Sequence, residues 1–322
     1  MSFPKVFIGN PVVKFKAGYP TKTFGYDKID NMKNFITIGG FDGAHPGHRH
    51  LIYVLRDLSA QNKMNSLVMT FPCPPRLALC GGPVSLITTP GEKFKLLKDL
   101  GADKIIKLDF AAVQNLTAQE FFDMLLKKYK MGGILAGPDF AFGKNREGNT
   151  AFLRAACKAH DIIYVQADFV HEGGRKISSS AIRSLLKAGD MAGAALLLGR
   201  PYGVEGKIIK GRQLGRTIGF PTANIDVDET KILPRGVFAV KVFLGKDVFN
   251  GVCNIGTRPT VDGGNKPLVE VNIFNFNRNI YGRRLKINFT AKIRDEIKFK
   301  SIEDLTAQII QDAAAARKIL LK

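Results

Sequence analysis

Tryptophan is missing altogether, histidine occurs only five times, and acidic residues are outnumbered 28 to 48 by lysine and arginine. That imbalance gives a formal charge of +20, which attracts polyanions: nucleic acid, an anionic membrane or phosphorylated small molecules. The cationic residues are spread along the chain. Their densest stretch, Arg278 to Lys300, mixes Arg283, Arg284, Lys286, Lys292, Arg294 and Lys298 with Asp295 and Glu296, the texture of solvated strand and helix faces. With no tryptophan and no interleaving of basic and aromatic residues, the chain lacks a stacking platform for bases, so no nucleic-acid partner is expected. No run of about 18 apolar residues is present, so nothing is expected to span a bilayer. The opening segment, Met1 to Pro20, lacks the apolar h-region of a signal peptide. The four cysteines (Cys73, Cys80, Cys157, Cys253) form no C-x-x-C pair, which predicts free thiols in a reducing cytoplasm and no zinc site.

Strand and helix patterns alternate through the first half. Strands are predicted at Phe35–Gly39, Ser66–Phe71, Lys104–Leu108 and Gly133–Ala136, and helices at His48–Gln61, Glu92–Leu100 and Ala118–Tyr129. Such alternation predicts a doubly wound parallel sheet covered on both faces. A longer helical region is predicted over roughly Ser180–Leu198. The texture then changes to short β-rich runs at Val204–Lys210, Gly236–Leu244, Val248–Asn254, Leu268–Phe276 and Arg284–Ala291, separated by Gly, Asn, Asp and Pro turns. These predict an antiparallel sheet or barrel, closed by a terminal helix over Ser301–Leu321 with Ser301 as its N-cap. Two domains are expected, residues 1–184 and 185–322.

Two segments carry chemistry. In Gly39-Gly-Phe-Asp-Gly-Ala-His-Pro-Gly-His48, His45 and His48, with His50 just beyond, follow a strand and precede a helix. There, phosphates meet open backbone N–H groups and the positive end of the helix dipole. Gly43 and Gly47 allow close backbone approach, and the histidines can donate to charge developing on phosphate. Residue types alone leave open a tight turn with incidental surface histidines. The second segment, Lys210-Gly-Arg-Gln-Leu-Gly-Arg-Thr-Ile-Gly-Phe-Pro-Thr-Ala-Asn224, is a basic, glycine-rich stretch that is not a P-loop, since no G-K-[ST] ends it. Gly211, Gly215 and Gly219 suit a loop over phosphates, Arg212 and Arg216 can pair with them, and Thr222 and Asn224 offer oxygen ligands for the Mg²⁺ of Mg-ATP. A mobile, charged hairpin loop remains the plainer account of it.

The first segment resembles the signature of the adenylyl- and cytidylyltransferase superfamily. Gly137-Pro-Asp-Phe-Ala-Phe-Gly143 and Ile177-Ser-Ser-Ser-Ala-Ile-Arg183 narrow that resemblance to the bacterial FAD synthetase module. The second segment resembles the riboflavin kinase signature. Further matches follow at Pro234-Arg-Gly-Val-Phe238, Asn254-Ile-Gly-Thr-Arg-Pro259, Glu270-Val-Asn-Ile273 and Tyr281-Gly-Arg-Arg284. Together these cover about Asn34 to Lys318 and resemble the bifunctional riboflavin kinase/FAD synthetase family. The resemblance implies phosphorylation of riboflavin to FMN, then adenylylation of FMN to FAD with release of pyrophosphate, with ATP and Mg²⁺ in use. It implies catalytic roles for Glu270, His45, His48 and Arg183. Nucleotide contacts are implied at Gly40, Phe41, Asp42, Gly43, Gly47, Asp139, Ser178, Ser179, Gly211, Arg216, Gly219, Pro221 and Thr222. Arg284 is expected against the flavin and Thr222 and Asn224 around the metal. Taken without the family, Glu270 is an ordinary strand residue and Ser178 to Ser180 an N-cap cluster. The pattern breaks at Thr70-Phe-Pro-Cys-Pro-Pro75, where the family has Thr-Phe-Glu-Pro-His-Pro, and at Asn272, where it often has His. The alternative expectation is therefore a riboflavin kinase whose nucleotidyltransferase half is weakened. A monomer or weak oligomer is expected.

Overall fold

The computed structural model describes residues 32–79, 84–172, 174–211, 214–259 and 265–321. The opening segment and Arg212, both weighed above, lie outside them. The chain divides into two compact units, Met1–Val84 with Thr88–Ser178, and Ser85–Ile87 with Ser179–Lys322.

In the first unit the elements run β1 (Asn34–Gly39), α1 (Pro46–Gln61), β2 (Asn65–Thr70), α2 (Pro75–Ala78), α3 (Pro90–Asp99), β3 (Lys104–Lys107), α4 (Phe110–Val113), α5 (Ala118–Lys127) and β4 (Met131–Ala136). A 3₁₀ turn (Lys144–Arg146), α6 (Thr150–Ala159), β5 (Ile163–Gln166) and a small hairpin of β6 (His171–Glu172) and β7 (Arg175–Lys176) complete it. The five main strands are parallel, in the order β3-β2-β1-β4-β5. Alternate residues of β1 and β2 feed two cores. Ile36, Ile38, Leu67 and Met69 pack with Phe121, Phe122 and Leu125 of α5. Phe35 and Val68 pack with Ile52 and Leu55 of α1 and Leu97 of α3. Burial on both faces explains why these strands read as near-continuous apolar runs. The chain steps from β1 to β2 on one side and later returns to place β4 on the other. The crevice beyond the carboxyl end of β1 is thus a topological switch point, where doubly wound sheets hold their ligands.

Helix starts follow side-chain chemistry. Thr89 and Glu92 form a reciprocal capping box at α3, and Thr117 and Glu120 another at α5, each contributing about 1 kcal/mol. Helix α1 begins at Pro46, two residues before the expected start, because His45 serves as its N-cap and Pro46 pre-sets the backbone angle of the first turn. Helix α6 and strand β5, absent from the sequence expectation, complete the alternation.

The second unit holds α7 (Ser179–Ala188), α8 (Met191–Leu198), β8 (Gly203–Ile209), α9 (Leu214–Thr217), β9 (Ala223–Val227), β10 (Gly236–Leu244), β11 (Asp247–Pro259), β12 (Asn265–Ile273), β13 (Arg284–Arg294) and α10 (Ile302–Leu320). The helical region expected over Ser180–Leu198 consists of two helices. Gly189 takes φ of +80°, which ends α7, and the Asp190 carboxylate accepts from Gly193 N at 2.8 Å to start α8. The six strands close an antiparallel barrel in the order β10-β11-β12-β9-β8-β13. Ser301 accepts from Asp304 N at 3.1 Å and caps α10, whose Ala313, Ala316 and Leu320 pack against Ala239 and Phe274 of the barrel unit. A parallel α/β layer followed by an antiparallel barrel and a terminal helix is the architecture the sequence predicts.

Candidate active sites

The loop leaving β1 is held in an uncommon backbone path. Phe41 and Ala44, neither of them glycine, take φ of +47° and +41°, and both are buried. Left-handed conformations at such residues cost of order 1–3 kcal/mol and persist only where surrounding contacts enforce them. Those contacts come from the start of α3. Asp42 Oδ1 accepts from Thr88 N at 2.9 Å and from Thr88 Oγ1 at 3.0 Å, and that hydroxyl oxygen in turn accepts from Gly43 N at 3.0 Å. Lys93 Nζ donates to Gly40 O at 3.0 Å, to Pro72 O at 3.3 Å and to Phe71 O.

On this braced loop His45 Nδ1 accepts from His48 N at 3.3 Å, which caps α1. When the ring is neutral its proton therefore sits on Nε2, making that nitrogen a donor. The His45 and His48 rings stack with centroids 3.6 Å apart at 17°, and Phe41 meets His48 edge-on at 5.2 Å. Partial burial lowers the pKa of His50, against the opposing pull of Asp168. Gly40, Phe41, Asp42, Gly43, His45, Gly47 and His48 are thus brought together at the end of β1 and the start of α1, with Asp42 engaged by Thr88. Asp139, in the loop after β4, is an exposed carboxylate 3.5 Å from Lys176 Nζ, which lies 3.3 Å over the Phe169 ring. Ser178 ends the first unit, whereas Ser179 and Arg183 belong to α7 of the second, where Arg183 Nε donates to Ser85 O at 3.1 Å.

The Pro72-Cys73-Pro74 departure lies in the loop after β2. Besides the Pro72 carbonyl held by Lys93, a Cβ added at Gly40 would stand 3.3 Å from Pro74 Cβ, so this loop seats directly against the motif loop.

The barrel's register assembles the second site. Glu270 on β12 is directly opposite Asn224 on β9 and directly opposite Asn254 on β11, so three polar side chains form one row across adjacent strands. All three line a cavity of about 400 Å³, together with Thr222, Asn272 and an apolar wall that includes Phe220, Val252, Leu268 and Phe299. Asn272 Nδ2 donates to Pro221 O at 2.9 Å and ties β12 to the segment ahead of β9. Gly211 comes so close that a Cβ there would lie 2.4 Å from Asn224 Nδ2, a clash any other residue would create. Burial pushes the Cys253 thiol far up, with the charge of Glu270 adding to the effect, so Cys253 is an inert core residue.

A second cavity of about 550 Å³ shares Thr222 with the first and is lined further by Pro221, Val271, Phe276, Arg278 and Tyr281. Arg278 pairs with Asp247 at 2.9 Å and stacks on Phe276 at 5.0 Å. Most of this cavity was not foreseen; the signal available was the aromatic and amide cluster Phe276-Asn-Arg-Asn279 ahead of Tyr281. Gly219, Pro221 and Thr222 lie in the segment leading into β9. Arg216 falls in α9, and its side chain lies outside the described residues. Arg284, on β13, is exposed and pairs with Glu205 at 2.7 Å; it lines neither cavity.

One wall of the first cavity depends on a buried ion pair. Arg294 Nε meets Asp312 Oδ1 at 2.9 Å and Nη2 meets Oδ2 at 2.8 Å, joining β13 to α10, and Asp312 is nearly inaccessible. Replacing Asp312 with Ala leaves the guanidinium without its counter-charge. The barrel's urea transition is expected to lose about 3 kcal/mol; a loss under about 0.5 kcal/mol would mean the pair behaves like a surface bridge.

A glycine-rich strand-to-helix loop at a sheet switch point and a polar row centred on Glu270 in a barrel cavity lie each on its own unit, the arrangement expected of a two-site transferase that uses nucleotides. Comparison with known proteins gives the family. The FAD synthetase family model matches residues 27–181 and the riboflavin kinase (flavokinase) model residues 198–320. The chain is 38% identical over 287 residues to the bifunctional riboflavin kinase/FMN adenylyltransferase of Escherichia coli strain K12, covering 88% of this chain and 91% of that protein. The Bacillus subtilis protein of the same description is 36% identical over 301 residues, covering 90% and 93%. Among solved structures, a macrolide-efflux protein from Streptococcus pneumoniae superimposes with a TM-score of 0.79 at 32% identity, over 89% of this chain and 96% of that one. Among the described residues of the present chain no helix is long and apolar enough to cross a membrane. The chain belongs to the bifunctional riboflavin kinase/FMN adenylyltransferase family.

Proposed function

We propose that the barrel unit phosphorylates riboflavin and that the parallel-sheet unit adenylylates the resulting FMN, with the row Asn224–Glu270–Asn254 as the observation that carries the first assignment. The apolar wall of the 400 Å³ cavity suits the flavin ring, and the cavity sharing Thr222 suits ATP, so the γ-phosphate meets the flavin's 5′-hydroxyl near Thr222. Glu270 accepts the hydroxyl proton as that oxygen bonds to the γ-phosphorus, and ADP leaves. Thr222 and Asn224 offer oxygen donors beside a carboxylate, and Gly211 leaves no Cβ between its backbone and Asn224; this donor set fits a hard divalent cation. Mg²⁺ there would neutralise charge on the ATP phosphates. Asn272 keeps Pro221 and Thr222 in register with β12.

In the first unit a phosphate oxygen of FMN attacks the α-phosphorus of a second ATP and pyrophosphate leaves. His45 and His48 donate to charge that builds on the triphosphate, and the N-terminus of α1 adds its dipole. The family resemblance assigns phosphate contacts to Ser178, Ser179 and Arg183 as well. Neither reaction uses a protein nucleophile; positioning and electrostatics supply the rate. Matches to both family models favour this two-activity reading over a kinase with a weakened first half. We place the enzyme in the cytoplasm as a monomer or weak oligomer without a nucleic-acid partner; among the described residues Cys73, Cys157 and Cys253 form no disulfide, which suits a reducing compartment.

Incubating the protein with riboflavin, Mg²⁺ and ATP, and separating the flavins over time, is expected to show FMN first and FAD after it. FMN that accumulates without FAD under excess ATP would sink the assignment of the first unit.

A further inference from the structure

We infer that Lys93 is a positioning residue for adenylyl transfer: its buried ammonium clamps the loops leaving β1 and β2, so that the histidine loop is presented to the nucleotide in one fixed path. The inference rests on the first unit being the adenylyl-transfer site.

Lys93 lies in the first turn of α3, two residues after Gly91, where an amphipathic helix ordinarily keeps its lysines in water. Here only 1% of the side chain is exposed. An ammonium has three N–H donors, and three main-chain carbonyls receive them: Gly40 from the loop after β1, Phe71 and Pro72 from the end of β2. The titratable groups acting on it are Asp42, on the β1 loop, and Cys73, on the β2 loop. Thr88, five residues earlier, grips Asp42 and Gly43. A single segment, Thr88 to Lys93, thus fixes residues 40, 42 and 43 of the motif loop, including the neighbours of strained Phe41.

A methionine would fill the same volume without a buried charge, but it would leave the Gly40, Phe71 and Pro72 carbonyls without their shared donor, so the ammonium is what ties the two loops together. Burial lowers the Lys93 pKa from 10.5 to about 8, with the negative charge of Asp42 opposing the fall. Above that value the amine is neutral and loses one donor, so one carbonyl of the clamp is released. Between about 8 and 10.5 the unfolded chain holds this proton and the folded one does not, so this group makes folding more favourable as pH rises through that window. Loss of activity there does not come from this group destabilising the fold, and the melting temperature measured alongside separates the two.

The test follows both reactions of the full-length protein from pH 7 to 10, with melting temperature measured alongside. FAD formation from supplied FMN is expected to decline through a limb near pH 8, while FMN formation from riboflavin shows no such limb. Lys93→Met is expected to lower kcat for FAD formation about 100-fold, the scale of a displaced reacting group, without the limb and without loss of kinase activity. Lys93→Arg, charged throughout, is expected to keep more activity than Lys93→Met and to lack the limb. Wild-type FAD formation that stays level to pH 9.5, or Lys93→Met with normal FAD formation, would overturn the inference. So would a limb unchanged in Lys93→Arg, a reading that stands even if Lys93→Met does not fold. If His48→Ala also left FAD formation untouched, the fault would lie with the site assignment and not with Lys93.

Discussion

Glu270→Gln is expected to yield a protein that converts supplied FMN to FAD at the normal rate but makes FMN from riboflavin about 10³-fold more slowly, within the range that positioned general bases contribute. The substitution exchanges one carboxylate oxygen for an amide nitrogen of nearly equal size. The barrel register that sets Glu270 between Asn224 and Asn254 is made by backbone bonds of β9, β11 and β12, and it survives the change. What disappears is the acceptor for the proton of the attacking hydroxyl. Since both barrel cavities keep their apolar and polar linings, KM for riboflavin and ATP should move by no more than about threefold while kcat falls, the signature of an interaction made in the transition state. Chromatographic rates with riboflavin and with FMN as separate substrates give the comparison. Equal loss of both reactions would mean that Glu270 supports folding, and no loss would remove it from the chemistry.

The sequence exposes this site unevenly, for physical reasons. Local chemistry survives translation into text. The strand-to-helix glycine loop, the Pro221-Thr-Ala-Asn224 run and the Ser301 cap depend on neighbours a few residues away, and they lie where the chain predicts them. Ala223–Val227 escapes detection as a strand because the loop motif and the strand share residues: Asn224 is a β residue whose side chain serves the cavity. Gly189 breaks a helix that apolar spacing would otherwise continue, and only its left-handed backbone shows it. Lys93 is the clearest case of information held in the fold alone. In Glu92-Lys-Phe94 it reads as a solvated helix position, and nothing local announces three carbonyls converging from two strand ends. Arg294 and Asp312 are likewise ordinary charges in sequence, made a buried pair by the packing of α10 on the barrel. Arg284, whose motif points to the flavin, pairs with Glu205 on β8. Contacts between distant segments create these arrangements, and a one-dimensional pattern carries no record of them.

His48→Ala should produce the opposite dissociation to Glu270→Gln, with normal FMN formation and FAD formation slowed by about 10²–10³-fold, the usual consequence of removing one donor to developing charge. The two stacked histidines are not equivalent in this respect. His45 is almost fully buried and its Nδ1 caps α1, so His45→Ala removes a donor and a helix cap together; the cap alone is worth about 1 kcal/mol, and the melting temperature of the first unit should fall with the activity. His48 contributes its backbone N–H to that cap, which alanine retains, while its ring stacks on His45 and meets the edge of Phe41. His48→Ala should therefore lose rate with little change in melting temperature, and His48→Gln, which restores an N–H donor of similar reach, should recover part of that rate. Comparable melting losses in both alanine variants would show that the pair acts mainly as a structural stack. Undiminished FAD formation in His48→Ala would move the charge-stabilising role away from this loop, to the Ser178-to-Arg183 segment that the same family signature contains.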